Sequence, residues 1–125
     1  MSVLTLAALA GGCGDPSSPP EAQARGSLDT FLATCAEKRP RLALPTLQPA
    51  AQSLVLEGTP AEGCGKVLGV ERPERLTSDD FRRPAIRLVG FDGATSRFAV
   101  GVASIMRTVT LTFGDGGWRL EGPGD

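Results

Sequence analysis

Residues 85–122 read AIRLVGFDGATSRFAVGVASIMRTVTLTFGDGGWRLEG, and their spacing decides the fold class. Ala85–Phe91 is a strand candidate closed by Asp92-Gly93, a strong hairpin signal. Across Thr95–Ala103, Phe98, Val100 and Val102 share one face, and Arg97, Ala99 and Gly101 share the other. Across Ile105–Phe113, Val109, Leu111 and Phe113 alternate with Thr108, Thr110 and Thr112. Gly114-Asp115-Gly116-Gly117 then turns into Trp118-Arg119-Leu120-Glu121. Period-two alternation broken by short turns predicts an antiparallel meander of about four strands.

Upstream the period changes from two to about three and a half. Leu28, Phe31, Leu32 and Cys35 fall at i, i+3, i+4 and i+7, which predicts a helix over 20–39 with one apolar stripe. Ser18 and Glu21 have capping-box spacing, Pro19 suits the first helical position, and Pro40 is expected to end the helix. Pro45 is read as opening a short helix to about Leu54, and Pro60 as opening a second, Ala61–Leu68, that carries Cys64. Residues 70–80 read as loop, with Thr77 or Ser78 capping a single turn through Phe81. Helices first and strands last give an α+β class, with the apolar face of the sheet packed on the helices.

The other end of the chain speaks of export. Val3–Ala10 is a short apolar run followed at once by Gly11-Gly12-Cys13. It is too short to span a bilayer and has the form of a signal peptide. The segment resembles the lipobox of bacterial lipoproteins, with Ala10 where that family prefers Leu. The resemblance implies that Cys13 carries the lipid and becomes the new N-terminus. No basic residue precedes the apolar run, which fits a start codon upstream of Met1. Gly14–Glu21 is rich in Pro and Ser and reads as a tether. The expected organisation is a signal peptide over 1–12, lipidated Cys and tether over 13–21, and one domain over 22–122. With Cys13 assigned to the lipid, Cys35 and Cys64 remain, and an oxidising compartment favours a disulfide between them over two buried thiols.

Composition narrows the chemistry. The 125 residues carry 13 basic and 14 acidic side chains, scattered without a basic stripe, so nucleic acid is not an expected partner. There is no His, which excludes a Ser-His-Asp triad, a Cys-His pair and a His-based zinc site. No metal or cofactor is expected. Gly63-Cys64-Gly65-Lys66 fails as a phosphate loop because Val67 stands where Ser or Thr is needed. Asp79-Asp80 beside Arg82 and Arg83 reads as a solvated, balanced segment. Arg97, Arg107 and Arg119 lie on strand candidates, and two of them converging in a cavity would suit an anion.

The helix bearing Cys35, the Pro-containing helical stretch, Cys64, the hairpin and the closing Gly117-Trp118-Arg119-Leu120 together resemble small exported proteins of the nuclear transport factor 2-like superfamily. That resemblance covers about residues 22–122. It implies a curved sheet wrapped on helices around a cone-shaped cavity. Its walls would be Phe98, Val100, Val109, Leu111, Phe113 and Trp118, residues that equally suit an ordinary core. Some members are isomerases or dehydratases that use Asp, His or Tyr in the cone; this chain has neither His nor Tyr. The expectation is a non-catalytic, extracytoplasmic lipoprotein that holds an apolar ligand or a partner protein at the cell envelope. An isomerase-like enzyme with an atypical site, or a structural accessory of an envelope complex, are the alternatives.

Overall fold

A computed structural model describes residues 20–123. Helix α1 (Pro20–Ala36) buries Leu28, Phe31, Leu32 and Cys35, the stripe read from the sequence, together with Ala24 one turn earlier. Each large side chain removed from water here is worth roughly 1.5–3 kcal/mol. The cap proposed at Ser18 and Pro19 lies outside the described residues. The helix ends earlier than Pro40. The Arg39 N–H bonds the Thr34 carbonyl at 2.8 Å and the Lys38 N–H bonds that of Cys35 at 3.1 Å. This is a Schellman turn with Lys38 at its left-handed position, φ 65°.

A 3-10 segment (Pro40–Thr46) contains Pro45, and α2 (Pro49–Val55) follows. Pro49 therefore opens this helix, in place of the expected Pro45, because its fixed φ suits the first helical position. Helix α3 (Pro60–Leu68) begins on Pro60 as expected. Thr59 accepts from the Glu62 N–H, and the Thr59 N–H donates to Glu62, a capping box the sequence reading did not single out. Gly69, φ 82°, closes α3. Helices α2 and α3 touch through glycine: a Cβ on Gly63 would lie 2.6 Å from the Val55 carbonyl oxygen. The rejected phosphate-loop sequence is thus the interior of a packed helix. Two 3-10 turns (Pro73–Arg75 and Ser78–Phe81) lead to the sheet.

Strands β1 (Ala85–Phe91), β2 (Thr95–Val102), β3 (Ile105–Gly114) and β4 (Gly117–Pro123) form an open antiparallel sheet in sequence order. The Asp92 carboxylate turns the first hairpin, accepting from the N–H groups of Ala94 (3.2 Å) and Thr95 (2.8 Å). The second turn places Ala103 and Ser104 both at positive φ, conformations usually taken by Asn and Gly. Cross-strand register puts Phe98 beside Val109, Ser96 beside Leu111, and Phe113 beside Trp118, all on the helix side. Among the strands, the helices approach β4 and β3 most closely. Leu47 bridges Leu120 in parallel and the Gln48 N–H reaches the Leu120 carbonyl, so the outer edge of β4 is partly covered. Nothing among the described residues pairs with the outer edge of β1.

Candidate functional site

Cys35 and Cys64 stand at disulfide distance, their Cα atoms 6.2 Å apart, and tie the C-terminal turn of α1 to the middle of α3. Both are fully buried, as the helical stripe implied for Cys35. Cys13 lies outside the described residues.

Of the six side chains expected to wall a cone, Phe98, Val100, Val109, Leu111 and Trp118 are buried together with α1 and α3 residues in one apolar cluster. None of the six lines any of the four clefts described below. Phe113 behaves differently. It faces the helix side but sits near the end of β3, beyond the helices, and is 54% exposed. Its ring lies 5.4 Å from Trp118, and Phe91 approaches the same indole at 6.2 Å. Leu88, paired with Phe98 and so on the same face, is 44% exposed, and Phe91 is 38% exposed. The helix layer thins towards β1, which leaves Leu88 and Phe91 exposed, and Phe91 and Phe113 form an apolar shelf beside the covered Trp118. Val89, at the bulge of β1, adds a further exposed apolar side chain.

The three strand arginines do not converge. Arg97 and Arg119 lie on the face away from the helices, and Arg107 lies on the helix side. The Arg107 guanidinium donates through Nε to the Gly69 carbonyl at 3.0 Å, where the C-terminus of α3 favours a cation. It shares a cleft of about 470 Å³ with Arg72, Arg75 and Glu71. Smaller clefts lie between α1 and Phe81 and beside the β2–β3 turn.

The last cleft, about 400 Å³, opens where α1 ends. Its lining is Lys38, Arg39, Pro40, Arg41 and Leu42 on one side, and Val55, Leu56, Gly58 and Pro60 on the other. The sequence reading passed over it. The run Lys38-Arg39-Pro40-Arg41-Leu42 sets three cations beside an apolar residue just past a helix end, but only the packing of distant segments brings Leu56 to the other side of the cleft.

Surface charges are locally balanced. Arg82 donates to Asp79 at 2.7 Å, and that hydrogen bond, then the Arg82 charge, hold the Asp79 carboxyl below its ordinary value, with Lys38 adding to the effect. The Asp80 carboxylate accepts from the Thr77 N–H. A hydrogen bond from Lys66 to Glu57 raises the Lys66 ammonium above its ordinary value. Among the described residues no group of His, Cys, Asp and Glu is arranged to hold a metal ion, and no helix is long and apolar enough to cross a membrane. No known protein family, curated protein or solved structure matches the chain.

Proposed function

We propose that the chain is an exported lipoprotein, anchored outside the cytoplasm by a lipid on Cys13, whose domain works by binding and not by catalysis. In this reading residues 1–12 are removed, residues 13–21 are the tether, and residues 22–122 form a cone-like domain of nuclear transport factor 2 type. The partner is another protein of the cell envelope, which lays an apolar segment on the helix side of β1.

The observation that carries this reading is the pair Phe91 and Phe113 beside Trp118, with Leu88 exposed on the same face of β1. Large exposed apolar side chains on one sheet face, two of them packed on an indole that is itself covered, are what a protein contact requires. Pro84, Arg87 and the bulge at Val89 discourage indiscriminate strand pairing along the same edge, so recognition falls to the apolar face. Against catalysis stands the absence of His and Tyr. Every carboxylate among the described residues is also exposed or half-exposed, so none is held in the low-dielectric setting that tunes a general acid or base.

A photoreactive side chain at Leu88, compared with the same probe at Thr108 on the opposite face, tests the reading in intact membranes. The expected result is one discrete protein adduct from position 88 and none from 108. Intact mass of the membrane-derived chain should show loss of residues 1–12 and a diacylglyceryl group on Cys13. An unmodified Cys13, or equal labelling from both faces, overturns the proposal.

A further inference from the structure

We propose that the groove between the end of α1 and the α2–α3 junction binds a single-chain amphiphile with an anionic head, of the long-chain carboxylate type. The floor is apolar. Leu42 and Leu56, 64% and 47% exposed, line it with Pro40, Pro60 and the buried Val55, a concavity of about 400 Å³. That volume falls in the range of small-molecule sites.

The rim is cationic. Lys38, Arg39 and Arg41 line the groove and no carboxylate does. None of the three forms an ion pair within 4 Å among the described residues. Three acidic groups nearby are engaged elsewhere: Glu57 holds Lys66 at 3.0 Å, Glu62 caps α3 through Thr59, and Asp79, which feels the charge of Lys38, is bonded to Arg82. Alkyl chain on leucine and carboxylate on guanidinium is the complementary pairing.

Lys38 supplies an independent sign. Helices α1 and α3 both end in a Schellman turn, the second closed by the Val70 N–H on the Gly65 carbonyl at 3.0 Å. The left-handed position is Gly69 in one, φ 82°, and Lys38 in the other, φ 65°. A side chain at this position costs free energy that glycine does not. The chain carries that strain where it sets an ammonium on the groove's rim, and strained backbone concentrates at binding sites. The groove is also preformed. Cys35 lies three residues before Lys38, Cys64 lies four after Pro60, and their bond ties the two walls together.

A monomeric amphiphile fits better than a bilayer surface. The site is concave, and it lies at the C-terminal end of α1, about 25 Å from Pro20 for a helix of 17 residues at 1.5 Å each.

The test is calorimetric titration of the full chain carrying Cys13→Ala, so that no acyl group of its own competes. Dodecanoate, below its micelle concentration, is expected to bind saturably at one per chain. Dodecyltrimethylammonium should bind at least about tenfold more weakly, a loss of about 1.4 kcal/mol. Lys38→Gly removes the ammonium while favouring the native turn, so a loss of affinity in that variant cannot come from unfolding. It and Leu56→Ser should each weaken dodecanoate about fivefold or more. Arg97→Gln, on the far face of the sheet, should leave it unchanged. Absent or unsaturable binding, equal affinity for both head groups, or indifference to Lys38→Gly overturns the proposal. So does Arg41-dependent sedimentation with phosphatidylglycerol vesicles in the absence of dodecanoate binding, which would assign the groove to a membrane surface.

Discussion

Ser96 sits on β2 with its Oγ fully enclosed and without a hydrogen-bond partner. Its cross-strand neighbours are Phe91 and Leu111, which offer neither donor nor acceptor from their side chains. A hydroxyl left unpaired in such surroundings costs about 1–3 kcal/mol. Ser96→Ala is therefore expected to raise stability by about 1 kcal/mol, seen as a higher urea midpoint with an unchanged slope. A lower midpoint would mean that the hydroxyl has a partner in solution. Period-two alternation had already put Phe98 and Val100 on the buried face. That Ser96 joins them follows from the same alternation, yet nothing local marks a lone serine as enclosed. Phe113 shows the converse. Its face was legible from alternation, but its exposure depends on where the helix layer stops.

Helices α2 and α3 are short, and the helix layer is held by helix ends and by one covalent link. Helix α3 has a reciprocal Thr59–Glu62 cap, and Gly63 lets α2 approach its backbone. The bridge from Cys35 to Cys64 spans 29 positions and joins α1 to α3. In the chain-entropy account, closing that loop stabilises the fold by roughly 3–4 kcal/mol. The double variant Cys35→Ala, Cys64→Ala should lose about that much in urea unfolding, and added reductant should bring the unmutated chain down to the same midpoint. Equal stability with and without reductant would rule out the bridge as a support. Helix positions were largely legible because Pro and the apolar stripe are local signals. The stop at Lys38 was not, because only the backbone hydrogen bonds of the finished turn reveal a left-handed lysine.

Across the whole molecule, order should be uneven. The apolar cluster joins the three helices to β2, β3 and β4, while β1 is held mainly by its pairing with β2 and leaves Leu88 and Phe91 half-exposed. Hydrogen exchange is expected to show β1 amides opening far below the global unfolding free energy, and β3 amides only near it. Equal protection of the two strands would mean that something covers β1 in the free protein, and would remove the shelf as a docking surface.

The order of elements, the α+β class and the four-stranded antiparallel meander were all written in the residues, because periodicity, proline and short turns act over a few positions. The absence of His set limits on the chemistry without any structure. Two surfaces were decided only in three dimensions. Leu88 and Phe91 are exposed because the helices stop short of β1, and the groove at Lys38 exists because the segment after α1 is folded beside the α2–α3 junction, held there by Gln52 and by the Cys35–Cys64 bridge. Both depend on which distant segments meet, and a single chain read from end to end holds no local record of that.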